Sequence, residues 1–160
     1  MRSHLLNGGA YARADFLAIN KTLTAAGAGD NALVQSAYVD RMPNSKGMAM
    51  SVKVVLAYTA TLAAGKSLFL TAQGKSADDT AGTNAANFGT ALAATKIATS
   101  AGGGTVNGTV ELDFDLSGCG RCFGIAITPD LDATATDIAE WSATLISFGH
   151  QTEPVSLSLV

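Results

Sequence analysis

The chain has 160 residues, of which 48% are hydrophobic and only 14% charged, and its formal net charge is −3. That length bounds it to one domain with a sizeable core, in no need of a metal or disulfide staple. The ten Lys and Arg residues form no stripe, which excludes the electrostatic footprint of a nucleic-acid binder, and no run approaches the ~18 apolar residues of a membrane span.

A charged share well below the roughly 25% usual in soluble domains implies a surface partly covered by partners. The opening stretch, MRSHLLNGGAYARADF, lacks the continuous apolar run of a signal peptide, so synthesis in a reducing cytoplasm is expected. Residues 1–29 carry apolar side chains without alternation and end in the glycine-rich TAAGAGDN, which reads as flexible. Phe16, Ile19 and Leu23 have the spacing of one face of a short helix. The expectation is an extended N-terminal arm over 1–29, with Leu5, Leu6, Tyr11, Phe16 and Leu17 as its partner contacts.

From residue 30 the pattern changes to short strands between turn signals. The spacing predicts strands over 32–39, 49–62, 66–73, 91–98, 109–116, 122–128 and 138–148. The clearest is TVELDFDL, in which Val110, Leu112, Phe114 and Leu116 alternate with Thr109, Glu111, Asp113 and Asp115. A strand separates those two sets onto opposite faces, whereas a helix scatters them. Residues 74–89, GKSADDTAGTNAANFG, read as a long solvated loop or as one that touches a ligand or partner. SAGGGTVNG at 100–108 reads as a flexible connection.

The only cysteines, Cys119 and Cys122, lie in SGCGRCFG. With Gly120-Arg121 as a two-residue hairpin loop, Leu116 opposes Ile125 and Phe114 opposes Ile127, so apolar faces meet. The same residues serve equally as a corner carrying the chain from one sheet to the other. A redox dithiol needs a helix N-terminus after the motif, but a strand follows. A zinc site needs four ligands, and His4 and His150 lie near the chain ends. The cysteines therefore read as structural, with a cross-turn disulfide as a minor alternative.

Asp113, Asp115, Ser117 and Gly118 match the start of a calcium loop, but Gly124 stands where the bidentate glutamate belongs. The Asp130–Asp132 pair reads as a polar turn after Pro129. Neither Gly-Lys-Ser nor the glycine run has the setting of a phosphate loop, and the serines have no histidine base or nucleophile elbow nearby. No catalytic residue, metal ligand or cofactor is therefore expected. Trp141, in an apolar run at strand spacing, reads as core rather than as a sugar-stacking platform.

Beyond 149, QTEPVSLSLV alternates Val155, Leu157 and Leu159 with Ser156 and Ser158. It reads as a tail strand, 150–160, seeking an edge to pair with, its three apolar residues in contact with a partner. The fold expected is all-β: an antiparallel two-sheet sandwich over 30–149, Ig-like or jelly-roll, with an extended N-terminal arm and a short tail strand.

DNALVQSAYVDR, VVLAYTATLAAGKSLFLTAQ, GTVELDFDLSG and GIAITPDLDATATDIAEWSATLISFG together resemble head decoration, or cement, proteins of tailed bacteriophages and related gene-transfer particles. The likeness covers most of 30–149 and is one of pattern. In those relatives the segment after the Ser-Gly turn is more basic and aromatic than Cys-Gly-Arg-Cys-Phe. The resemblance implies an oligomeric, non-catalytic protein on the outer capsid surface, made in the host cytoplasm, whose partners are the major capsid protein and copies of itself. A carbohydrate-binding module or another virion part, such as a tail component, are the alternatives that a sandwich of this kind leaves open.

Overall fold

The computed structural model describes residues 12–42, 48–132 and 136–149. Its strands are β1 (Arg13–Thr24), β2 (Val34–Gln35), β3 (Val39–Asp40), β4 (Ser51–Leu62), β5 (Lys66–Ala77), β6 (Ala86–Ser100), β7 (Gly104–Asp115), β8 (Cys122–Leu131) and β9 (Ile138–Phe148). They form two antiparallel sheets, ordered β1-β9-β4-β7 and β2-β8-β5-β6, with β3 also on β8. The chain is an antiparallel β-sandwich.

Alternation builds the core. Val52, Val54, Leu56, Ala60 and Leu62 of β4 point inward, as do Ala139, Trp141, Ala143 and Leu145 of β9. Leu68, Leu70 and Ala72 of β5 and Ile125 and Ile127 of β8 meet them from the other sheet. Each fully buried large aliphatic side chain contributes about 1.5–3 kcal/mol. β8 is buried on both faces, because Tyr38 and Gln35 pack over its outer side at Gly124. That double burial explains its continuous apolar run. Pro129 closes that run within β8 rather than after it. Its carbonyl accepts from Asn31 N–H at 3.0 Å on the side away from β5. Its nitrogen faces that same side, so no ladder bond to β5 is lost.

Several expectations are corrected. The arm does not reach residue 29. Residues 13–24 are β1, paired along β9, and the helical reading of Phe16, Ile19 and Leu23 is overturned. The helical spacing arises from register shifts between Phe16 and Ala18 and between Ala18 and Lys21, with Asn20 at φ 47°. Such bulges break the period of two. TAAGAGDN is an ordered turn: Asp30 accepts from Ala26 N–H and Leu131 N–H, both at 2.8 Å, and ties β1 to β8.

The single strand expected at 32–39 is two short pieces. Between them the Ser36 hydroxyl takes the place of a ladder carbonyl, accepting from Ile125 N–H at 2.9 Å. The long loop at 74–89 shrinks to 78–85, because β5 runs to Ala77 and β6 starts at Ala86. Asp79 holds that turn, accepting from the N–H groups of Ala81 and Thr83 at 3.0 Å and from the Thr83 hydroxyl at 2.7 Å. Those bonds hold the Asp79 carboxyl below its ordinary range, the Thr83 hydroxyl foremost.

Candidate partner-binding surface

Leu5, Leu6, Tyr11, Val155, Leu157 and Leu159 lie outside the described residues. Of the other two expected contacts, Phe16 is 72% exposed, whereas Leu17 is 6% exposed and packs into the protein's own core. Leu17 is therefore withdrawn as a partner contact: the bulge turns it and Ala18 inward together.

Phe16 sits at the end of the sandwich from which both chain extensions leave. Arg13, where β1 begins, is paired with Ser147, near the end of β9. On the outer face of that sheet Phe16 lies beside Thr144 and Val55, and Ala14 beside Ile146 and Lys53. Phe148 and Met50, about a third exposed, continue this apolar patch to the rim. Glu111 and Asp113 border it. They bind Lys53 Nζ at 2.6 and 3.2 Å, which raises the lysine pKa, through the Glu111 bond first.

SGCGRCFG lies at the same end, and it is the corner, not the hairpin. β7 pairs with β4 and β8 with β5, so Leu116 does not oppose Ile125 and Phe114 does not oppose Ile127. The cysteines are free. Cys119 Sγ lies 3.7 Å from the Cys122 carbonyl oxygen, and burial pushes the Cys122 thiol up from its ordinary pKa, with Asp40 adding to the effect. A thiol held protonated is a poor nucleophile.

Arg41 fixes the corner. Its side chain is 3% exposed, and its guanidinium donates to the carbonyls of Cys119, Gly120 and Ala49. Sequence reasoning passed over Arg41, because an arginine in a Val-Asp-Arg-Met-Pro stretch carries no sign of burial. The carboxylates considered for calcium have other duties. Asp113 pairs with Lys53, and Asp115 accepts from Ser117 N–H at 2.9 Å. Among the described residues no group of three or more His, Cys, Asp or Glu is placed to hold a metal ion.

Trp141 is 3% exposed, as expected of a core residue, and Tyr58 is buried beside it. Neither ring offers a stacking face to a sugar.

The sandwich is open along one side. β7 and β6 each end their sheet, and among the described residues no strand pairs with the outer edge of either. Between them runs a groove of about 510 Å³, lined by Gly89–Leu92 of β6 and Glu111–Asp115 of β7. Val106, Val110, Leu112 and Phe114 point inward yet stay half-exposed, because no neighbouring strand closes that flank.

No family model matches this sequence, and no curated protein matches it. Among solved structures it is similar to the VP2 subviral particle of infectious bursal disease virus, at 12% identity and a TM-score of 0.45. The likeness covers 91% of this chain and 34% of that one. A carbohydrate-binding module of Cel9A from Ruminococcus flavefaciens matches at 15% identity and TM-score 0.43, covering 88% and 98% of the two chains. Black queen cell virus matches at 11% and 0.33, covering 90% and 72%. The chain thus spans about a third of the length of the VP2 chain it matches. At this level of likeness nothing that those proteins bind or assemble with transfers to this one.

Proposed function

We propose that this chain is a structural component of a virus particle, of the head-decoration type that its sequence pattern resembles, and that it acts by gripping neighbouring subunits rather than by catalysis. One observation carries the reading. β1 begins and β9 ends side by side, at the end where Phe16, Met50 and Phe148 are exposed. A rigid module with apolar extensions issuing from an apolar rim suits a protein that spans several partners, since tethered contacts gain through effective concentration. The partners proposed are the major capsid protein and copies of this chain, on the outer shell.

Mass spectrometry of purified particles from the source cells tests this. The expected result is this chain in a fixed high ratio to the shell protein. Its absence from particles that are otherwise complete removes the reading, and a few copies per particle assigns it to the tail instead.

A further inference from the structure

We propose that the groove between β6 and β7 receives residues 155–159 from a second copy of this chain, added as a strand to the free edge of β7. This deepens the reading above, on which it rests, by giving the tail an address.

The structure shows the accepting edge, and the sequence supplies the donor segment. The free edge of β7 carries the unpaired N–H and C=O groups that invite strand addition. Along the same flank Val110, Leu112 and Phe114, with Leu92 and Phe88 across the groove, are inward-facing but only half-buried. An added strand with apolar residues at every second position would cover them. Val155, Leu157 and Leu159 have that spacing, while Ser156 and Ser158 would join the outer face beside Glu111 and Asp113, where they add no like charge. Pro154 stands just before the segment, at the strand start where a missing N–H is tolerated.

Charge argues against two β7 edges pairing with one another. Glu111, Asp113 and Asp115 on each would face their like, whereas 155–159 bears no ionisable side chain. Two donors can reach the slot. Phe148 lies opposite Ser51 and Ser51 opposite Asp115, so a chain's own slot is three strand spacings from the end of β9, about 14 Å, and residues 149–154 extend to at most ~20 Å. The donor in trans is the one proposed, because a head-to-tail exchange of this kind builds the rings or lattices that the reading above calls for.

The test compares the full chain with its Leu157→Asp variant, using hydrogen exchange and light scattering on purified protein without particles. The full chain is expected to form oligomers, with β7 amides pointing away from β4 exchanging about tenfold more slowly than in the variant. Leu157→Asp is expected to yield folded monomers. Equal exchange along β7 in the two proteins overturns the proposal, and so does protection in a full chain that stays monomeric, since that puts the tail in its own groove. Either failure would leave the presence of the chain in particles untouched, so the two readings fall separately.

Discussion

Arg41 donates a hydrogen bond from its guanidinium to the carbonyl oxygen of Gly120 at 2.9 Å, across 79 residues of sequence. The same group reaches Ala49 O at 3.0 and 3.2 Å, so one buried cation gathers carbonyls from two loops at the end where the chain extensions leave. Arg41→Met removes these bonds and strands the carbonyls, at an expected cost of about 3 kcal/mol. Arg41→Lys keeps the charge but not the planar fork, so its loss should be intermediate. Urea unfolding midpoints check both, and an unchanged midpoint for Arg41→Met means the corner holds without it.

Cys122 gives a second prediction. Burial favours its neutral form, so the native protein holds this proton more tightly than the unfolded chain does. The contribution to stability is therefore complete at neutral pH. It declines as pH rises above the range where a free thiol ionises. In native protein at pH 8, iodoacetamide should modify Cys119, which is half-buried, and spare Cys122 until denaturant is added. Peptide mapping of the alkylated sites decides this.

Asp40 bears on the same corner from the other side, accepting from Arg121 Nε and Nη2 at 3.1 and 2.8 Å. That pairing holds its carboxyl below the ordinary range against an opposing desolvation effect. The stabilisation is present above the carboxyl's unfolded pKa, about 3.9, and is lost as pH falls through the lower folded value. Asp40→Asn should lower the melting temperature slightly at pH 7, since Arg121 is largely exposed. The gap should close in strong acid. A constant gap from pH 7 to pH 2 would mean that packing, not charge, matters at this position.

Tyr58 and Gly108 are cross-strand partners, and the glycine's missing side chain makes room for the ring. A Cβ on Gly108 would lie 2.7 Å from Tyr58 Cζ. The phenol bridges the two sheets by donating to Ile97 O at 2.6 Å. Tyr58→Phe should cost about 1 kcal/mol for the lost bond. Gly108→Ala should cost more, about 1–3 kcal/mol, because it displaces the whole ring. Thermal melts of the two variants give the order, and equal losses would locate the effect in the hydrogen bond alone.

How far the sequence reveals the fold depends on how each strand is buried. β4, β7 and β9 have one face on the core and one on solvent, so their alternation reads directly. β1 does not, because its two register shifts put Leu17 and Ala18 on the same side and leave a helix-like spacing. The ends of β5 and β6 carry polar and small residues that look like loop. Their pairing rests on main-chain bonds and on Gln73, whose amide donates to Phe88 O at 2.9 Å, a partner 15 residues away. The corner motif left two topologies open, because pairing depends on strands far along the chain. Of the residues expected as partner contacts, Phe16 and Leu17 are described and only Phe16 is exposed; the apolar rim that it joins is assembled by register.

Phe16 and Leu17 are adjacent in sequence, and the alternation of the strand sends their side chains to opposite faces. Phe16→Asp places a charge in solvent, on the outer face, and should change stability by no more than about 0.5 kcal/mol. Leu17→Asp drives a carboxylate into the core, at a cost of several kcal/mol, and should leave little folded protein. If the rim carries partner contacts, Phe16→Asp will fold normally by circular dichroism yet fail to sediment with purified shells that the parent chain coats. A Phe16→Asp protein that still coats shells would show that the rim is bare of partners, and that the extensions alone hold the chain in place.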